Sequence, residues 1–288
     1  MKRNILSRFL VAGVGIPTLW VLLYVAPNWA WWGICGLAVC ITAWEFAEIV
    51  WPEQGAGLVM MTSSVFVYGV FLMLHLHVLH GNELILRWLA NLMVAAVVFA
   101  LLVSLALSKS VMRQQLRSFG FALGSVYLGG LIACFALLRS YGSLQQGASI
   151  TLLALSSAFA SDAAAMGAGK LFGGHGRRLA RNISPNKTVR GAIGGLLGSC
   201  LVTGILHRFV PGLANFSLAG LLLLAVIASA FGQLGDLCES WIKRAFDVKD
   251  SGTILPGHGG LFDRIDALLF SGAVYFVTCV SGLMNVLR

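Results

Sequence analysis

Charged residues are scarce in this 288-residue sequence: Asp, Glu, Lys and Arg together make up only 11% of it. A soluble domain of this length usually carries about twice that fraction. Hydrophobic residues account for 58% of the chain, and the mean hydropathy is +0.86. They form long runs, each close to the roughly 20 residues that a helix needs to cross a bilayer. The composition predicts an all-α polytopic integral membrane protein, because a β-barrel would show short alternating segments instead.

Paired cysteines and several familiar catalytic motifs are also missing. None of the six Cys residues forms a Cys-x-x-Cys pair, and no Cys/His cluster has the spacing of a zinc site. They are interpreted as small apolar packing residues. The sequence contains no Gly-x-Ser-x-Gly elbow and no His-Glu-x-x-His motif. The P-loop pattern fails around Lys170, because Leu171 stands where that motif requires Ser or Thr.

Nine apolar runs are candidate membrane spans. Their approximate limits are 9–26, 29–50, 58–78, 88–108, 119–140, 149–170, 191–210, 216–243 and 266–286. The first run is too long for the apolar core of a signal peptide, so it is predicted to be retained as a helix. No internal repeat or low-complexity linker divides the chain. We therefore expect a single membrane domain over residues 1–288, with N-terminal helices in 1–148 and a catalytic half in 149–288.

Lys and Arg are distributed unevenly between the connections of this nine-span topology. With the N-terminus in the cytoplasm, sixteen of the 20 fall on the cytoplasmic side. The four on the opposite side are Arg87, Arg139, Arg208 and Arg288. This distribution follows the positive-inside rule. Membrane orientation and anionic headgroups thus explain the net charge of +9, and no nucleic-acid partner is predicted. The polar loops 170–190 and 244–265 would both face the cytoplasm.

Acidic residues are concentrated near the C-terminus, where six of the 11 lie between Asp236 and Asp266. On a helix, Asp236, Glu239, Ser240 and Lys243 are spaced i, i+3, i+4 and i+7, so they share one face. A charge near a bilayer centre costs about 2.5–3.5 kcal/mol. Two carboxylates on one face suit a hard cation with oxygen ligands. The alternative is a helix end that reaches the interface, with Glu239 paired to Lys243.

A glycine-rich turn follows at Pro256-Gly-His-Gly-Gly260, where backbone N–H groups could approach an anion closely. Asp263 and Asp266 come next, at the start of the last predicted helix. A carboxylate there gains about 0.3–1 kcal/mol from the helix dipole. N-terminal capping would explain Asp266 alone. A divalent metal held by Asp236 on one helix and Asp263 on the next would explain both acidic groups.

A third polar segment, rich in Lys and Arg, ends in Ser184-Pro-Asn-Lys-Thr188. One interpretation is a phosphate-binding surface in which Lys187 and Thr188 contact phosphate oxygens. The alternative is a basic loop that only sets membrane orientation. Together the three segments suggest metal-assisted phosphoryl or nucleotidyl transfer at the cytoplasmic face. Such chemistry needs charge neutralisation and in-line positioning, but no protein nucleophile when the acceptor is a phosphate.

The segment from Ser240 to Asp266 resembles the signature of the phosphatidate cytidylyltransferases (CDP-diacylglycerol synthases) of bacterial type. The matching residues are Ser240-x-x-Lys-Arg-x-x-x-x-Lys-Asp250 and Pro256-Gly-His-Gly-Gly-x-x-Asp-Arg-x-Asp266. Further matches are Asp162…Gly169-Lys170-x-Phe172-Gly173, Ser184-Pro-x-Lys-Thr188 and Ala43-Trp44-Glu45. The sequence departs from the family at Arg190, where Glu is usual, and at Met166, where Tyr is common. For Glu45, an interfacial position beside a Trp anchor is the alternative.

The resemblance implies transfer of CMP from CTP to phosphatidate, with release of pyrophosphate and formation of CDP-diacylglycerol. It also implies magnesium, potassium as a second ion, a homodimer, and a site facing the cytoplasm from the bacterial inner membrane. The implied metal ligands are Asp236, Asp263, Asp266 and Glu239. The other implied catalytic residues are Lys243, Arg244, Lys249, Asp250 and His258. The implied substrate-binding residues are Ser184, Lys187, Thr188, Ser240, Gly259, Gly260, Arg264 and Asp162.

Two other functions share some of these features. A CTP-dependent polyprenol or phytol kinase carries part of the pattern but would release CDP, and the complete signature favours the cytidylyltransferase. An ion-coupled transporter usually has its carboxylates at the midplane between inverted repeats. Here the acids lie at one face and no repeat is visible. The Asp-x-x-Asp-Gly-x-x-Ala-Arg motif of CDP-alcohol phosphatidyltransferases does not occur in the sequence.

Overall fold

The structure, a computed structural model, describes residue 15 and residues 17–52, 56–79, 120–172, 177–180, 183–252, 254 and 259–287. Helices dominate this part of the chain. Residues 17–24 form α1, which is followed by α2 (Asn28–Val50) and α3 (Ala56–Leu79). The later helices are α4 (Gly120–Leu138), α5 (Leu144–Leu171), α6 (Val189–Phe209), α7 (Leu218–Ala245), α8 (Phe262–Val280) and the short α9 (Leu283–Val286).

Six of these helices, α2 to α7, are long and apolar enough to cross a bilayer. The prediction of an all-α polytopic integral membrane protein is therefore confirmed. α8 has 19 residues and carries three charged residues near its start: Asp263, Arg264 and Asp266. The count of nine spans stays a prediction. The fourth predicted span, 88–108, lies outside the described residues, and so do residues 9–14 and 16 of the span predicted at 9–26.

The structure differs from the predicted boundaries at two places. The last span was predicted as one helix over 266–286, but α8 begins at Phe262 and ends at Val280, and Gly282 with φ 77° separates it from α9. The loop predicted over 170–190 contains a small antiparallel hairpin of β1 (Arg178–Ala180) and β2 (Ser184–Thr188). Strands of three and five residues are too short to give a recognisable periodic pattern.

Contacts between the connections place them at two opposite ends of the bundle. At one end, buried Arg139 donates hydrogen bonds to the carbonyl groups of Leu23 and Ala26, and Ser217 N–H donates to the carbonyl of Leu287 at 2.6 Å. The hairpin and the segment leading into α8 lie at the other end, which α7 reaches at Ala245. In the predicted topology, successive connections alternate between the two sides of the membrane. That alternation also places the hairpin segment and the loop before α8 on the same side.

Small residues allow α5 and α6 to pack closely along their length. A Cβ atom added at Gly198 would collide with the Cβ of Ala164 and would lie 2.9 Å from the carbonyl oxygen of Ala160. A Cβ at Gly194 would likewise collide with that of Ala168. In a membrane, helix association depends on such close backbone approach, because lipid is as apolar as the side chains. The packing fixes the start of α6, and with it β2, against α5.

Candidate active site

Glycines on α7 let the backbone of α8 approach at the level of the acidic residues. A Cβ added at Gly235 would lie 2.6 Å from the carbonyl oxygen of Asp266 and 2.8 Å from the ring of Phe270. Only glycine leaves room for this approach. Asp236 follows Gly235 directly, so the contact brings Asp236 and Asp266 to the same level of two neighbouring helices.

Three carboxylates converge where these helices meet. Asp236, Glu239 and Asp266 each offer one oxygen, and the three oxygens lie within 4.8 Å of one another. Glu239 and Asp266 are buried, whereas Asp236 is partly exposed at the mouth of the cluster. Carboxylates this close repel each other unless a cation or a proton lies between them. Hard oxygen ligands from two rigid helices suit Mg²⁺, so the cluster fits the predicted metal.

Two lysines neutralise the α7 carboxylates. The Lys187 Nζ atom, from β2, lies 2.5 Å from Asp236 Oδ2. The Lys243 Nζ atom lies 2.7 Å from Glu239 Oε1. The predicted i, i+4 pair of Glu239 with Lys243 is therefore present, within the same group as the carboxylate cluster. Asp162 on α5 also acts electrostatically on Asp236, so four helices or strands contribute charge to one site.

Asp263 is the other predicted metal ligand on α8, but its carboxylate accepts hydrogen bonds from Lys243 and from backbone groups of the loop before α8. Its carboxylate accepts hydrogen bonds from Lys243 Nζ at 2.8 Å, from the Ser251 N–H at 3.0 and 3.2 Å, and from the Gly260 N–H at 3.1 Å. Burial alone would raise the pKa of Asp263, but hydrogen bonding with Glu239, Lys243 and the two backbone groups outweighs it and holds the pKa well below the usual range. Asp263 is not one of the three clustered carboxylates. It ties the loop before α8 to α7.

Glu45 on α2 holds the start of α8 from the other side. It is fully buried and accepts the backbone N–H groups of Leu261 at 2.9 Å and Phe262 at 2.8 Å. The first N–H groups of a helix lack partners within the helix, and the helix dipole favours an anion there. Gly252 and Gly260 pack against the carboxylate, since a Cβ at either would lie within 2.9 Å of one of its oxygens. Glu45 therefore positions the turn that carries Asp263.

The interfacial interpretation of Glu45 is wrong. The surface residue of this helix end is Glu48, which is exposed and accepts a hydrogen bond from Trp44 Nε1 at 2.8 Å. Glu45 lies one position after Trp44 but points into the bundle. An acidic residue within a 23-residue apolar helix is itself a sign of function. The sequence could not show that its partners are backbone groups more than 200 residues away.

The segment predicted to bind phosphate, Ser184–Thr188, forms β2 and ends in a residue with a clear structural role. The Thr188 hydroxyl is buried and accepts the Gly191 N–H at 3.1 Å, which caps the N-terminus of α6. Ser184 is half-buried and begins β2. Arg190 is exposed and donates to the carbonyl of Phe172 at the end of α5, 3.2 Å away. The substrate contacts predicted for Ser184 and Thr188 stay predictions.

The remaining predicted residues lie along the segment from Ser240 to α8. Ser240 is half-buried on α7, and Arg244 donates to the carbonyl of Val248 at 3.1 Å. Gly259 has φ 81°, a conformation that favours glycine. Four of these predicted residues are exposed: Arg244, Lys249, Asp250 and Arg264. His258 lies outside the described residues. The catalytic and binding roles of all these residues stay predictions.

The fold and the site define a helical integral membrane protein whose carboxylates and lysines meet at one end of the bundle. A family model described as the cytidylyltransferase family matches residues 6–281. This chain therefore belongs to the cytidylyltransferase family. The family and the nucleotidyltransferase class predicted from the signature are confirmed.

Similar proteins occur among staphylococci. The chain is 38% identical over 213 residues to the phosphatidate cytidylyltransferase of Staphylococcus haemolyticus, which covers 73% of this chain and 78% of that protein. It is 39% identical over 186 residues to the enzyme of the same name from Staphylococcus saprophyticus, with 64% and 68% covered. The corresponding protein of Staphylococcus epidermidis is 41% identical over 169 residues, which is 58% of this chain and 62% of that one.

Proposed function

We propose that this protein transfers CMP from CTP to phosphatidate, forming CDP-diacylglycerol and pyrophosphate for phospholipid synthesis. The observation that carries the proposal is the convergence of Asp236, Glu239 and Asp266 with Lys187 and Lys243 in a member of the cytidylyltransferase family. The relatives named phosphatidate cytidylyltransferase support the choice of acceptor.

The reaction is one displacement at phosphorus. A phosphate oxygen of phosphatidate attacks the α-phosphorus of CTP and forms the new P–O bond. The bond from that phosphorus to the oxygen bridging to the β-phosphorus breaks, and pyrophosphate leaves with the electron pair. Both partners are anions, so the site has to reduce their mutual repulsion and hold them in line.

Charged side chains of the site suit these two tasks. Asp236, Glu239 and Asp266 would hold magnesium, which supplies positive charge to the phosphate oxygens when bound. Lys187 lies beside the partly exposed Asp236 and offers its ammonium group to phosphates at the mouth of the site. Lys243 is more deeply buried and keeps Glu239 and Asp263 in place. A shared ion between Asp236 and Asp263, potassium as the second ion, and a homodimer stay predictions.

The orientation of the site is a further part of the proposal. The hairpin and the loop before α8, which carry most of the basic residues near the site, lie at one end of the bundle. The positive-inside distribution favours the cytoplasm for this end, where CTP and magnesium are present. The protein is accordingly proposed to reside in the bacterial cytoplasmic membrane, with its site open to the cytoplasm and to membrane lipids.

The proposal is tested with purified protein, CTP, Mg²⁺ and phosphatidate in detergent micelles. We expect equal amounts of pyrophosphate and CDP-diacylglycerol. Release of CDP, with phosphorylation of an added polyprenol, would instead identify a kinase. Asp236→Asn should lower turnover at least a hundredfold, because the cluster loses one of its three anionic ligands. Glu48→Gln is the matched control, since Glu48 is an exposed acid at the same end of the bundle, and it should keep wild-type turnover.

A further inference from the structure

α4 contains one turn of π-helix, at Val126–Gly130. A π-turn inserts one extra residue into an α-helix and often occurs at functional sites, because it redirects the side chains around it. Here the turn lies against α3, where a Cβ at Gly129 would collide with the carbonyl oxygen of Ser64. The same turn carries Tyr127, whose ring contacts two aromatic rings of α8.

Two aromatic contacts fix the direction of the Tyr127 ring. Its centroid lies 6.0 Å from that of Phe262, in an edge-to-face arrangement, and 5.9 Å from that of Phe270. On α8, Phe262, Asp266 and Phe270 are spaced by four residues and so share one face. The Tyr127 ring thus spans the turn of α8 that presents Asp266. Asp266 and Glu239 both act electrostatically on Tyr127.

The hydroxyl group of Tyr127 is buried, and it has no hydrogen-bond partner within the described part of the chain. Other buried tyrosines of the bundle are satisfied by protein atoms. The Tyr68 hydroxyl donates to the carbonyl of Trp32 at 2.7 Å, and the Tyr275 hydroxyl lies 3.2 Å from Ser157 Oγ. A buried polar group without a protein partner usually bonds to something the site itself holds, such as a bound water, ion or ligand.

We propose that the Tyr127 hydroxyl donates a hydrogen bond to an oxygen carried at the carboxylate cluster, which makes Tyr127 an uncharged polar residue of the site. The oxygen belongs either to a water bound by the metal or to the phosphate group of the lipid. Either oxygen would be a good hydrogen-bond acceptor beside Asp266. The neutral Tyr127 hydroxyl supplies a donor there without adding charge to the site. If the oxygen is that of the lipid phosphate, the inference rests on the proposed function. If it is that of a metal-bound water, the inference does not depend on which reaction the protein catalyses.

A metal titration tests the first source without any turnover. Purified wild-type protein and Tyr127→Phe are titrated with Mn²⁺ in the absence of CTP and lipid, and free Mn²⁺ is measured by electron paramagnetic resonance. If the Tyr127 hydroxyl donates to a metal-bound water, its loss should weaken Mn²⁺ binding about tenfold. Tyr68→Phe is the control, because it also removes a tyrosine hydroxyl, but one that donates to the carbonyl of Trp32. It should leave Mn²⁺ binding at the wild-type value.

Steady-state kinetics test the second source. If the partner is the lipid phosphate, Tyr127→Phe keeps its Mn²⁺ affinity but raises KM for phosphatidate about tenfold, with KM for CTP little changed. Thermal unfolding with EDTA checks that the variant is folded, and a Tyr127→Phe variant at least as stable as wild type is expected, since no protein partner is lost.

The inference is overturned if Tyr127→Phe matches Tyr68→Phe in both Mn²⁺ affinity and KM for phosphatidate. That result would leave the proposed function untouched. Conversely, a wild-type protein that makes no CDP-diacylglycerol refutes the proposed function, whereas a tenfold loss of Mn²⁺ affinity in Tyr127→Phe would still support the inference.

Discussion

Glu45 accepts the backbone N–H of Phe262 at 2.8 Å, although 217 positions of the chain separate the two residues. The bond joins the C-terminal part of the second helix to the first turn of the last long one. It is charge-assisted and buried, and the neighbouring N–H of Leu261 binds the same carboxylate at 2.9 Å. The start of α8 is therefore set by a side chain of α2, and the positions of Asp263 and Asp266 follow from it.

Replacing Glu45 by Gln tests whether its carboxylate holds the start of α8. The amide keeps the shape but loses the charge. Its NH₂ group replaces one of the two acceptor oxygens and can only donate, so one of the two backbone N–H groups loses its acceptor. Hydrogen bonds to charged groups contribute about 1.5–3 kcal/mol each, so we expect Glu45→Gln to lower the free energy of unfolding by about 2–3 kcal/mol. Turnover should fall at least tenfold, because the turn carrying Asp263 moves.

Glu48→Gln provides the control for this prediction, since Glu48 lies one turn further along α2 and its side chain is exposed. Its unfolding free energy should change by no more than about 0.5 kcal/mol. Unfolding in detergent micelles and CDP-diacylglycerol synthesis are the two measurements. Equal effects of the two substitutions would show that the Glu45 contacts do not position α8.

Two glycines of α6 should respond to Ala in opposite directions. Gly198 lies against Ala164 and Ala160 of α5, so Gly198→Ala forces the helices apart and should cost about 1–3 kcal/mol of stability. Gly204 has no atom within 4 Å of the position that a Cβ would take. Gly204→Ala should stabilise the helix by about 0.5–1 kcal/mol. Thermal unfolding of both variants measures the difference, and destabilisation by both would argue against close packing as the cause.

Asp263 should make stability depend on pH in the acid range. Its folded-state pKa lies below the value of about 3.9 for an unfolded Asp, so its contribution is fully present above that value and is lost as pH falls toward the folded pKa. We expect wild-type stability to decrease from about pH 5 downward, and Asp263→Asn to show a shallower decrease. Unfolding midpoints between pH 7 and pH 3 measure both slopes.

Asp250→Asn is a suitable comparison for the pH experiment, because Asp250 is exposed on the same connection and should leave the slope unchanged. If the stability of Asp263→Asn falls with pH as steeply as that of the wild type, the hydrogen bonds from Lys243, Ser251 and Gly260 do not lower the pKa of Asp263.

Regular features of the site could be predicted from spacing alone. Asp236, Glu239 and Lys243 share a helix face because the period of the α-helix is fixed, and the structure shows the Glu239–Lys243 contact that this spacing allows. The pairing of Lys187 with Asp236 could not be predicted, because it depends on how a short hairpin folds over the end of α7. Nor could the contacts of Asp263 with Ser251 and Gly260, which depend on the path of an irregular loop.

The sequence by itself determined the class of fold, the approximate boundaries of the helices α2 to α7, and the family. Each of these follows from local properties: runs of apolar residues, helical periodicity, charge and a contiguous signature. Only the tertiary structure decided which carboxylates meet, that Glu45 is buried and caps α8, and that the Tyr127 ring contacts Phe262 and Phe270 of α8. These relationships join residues that are distant along the chain, and they arise from helix packing at glycines such as Gly235, whose close approach no local pattern specifies.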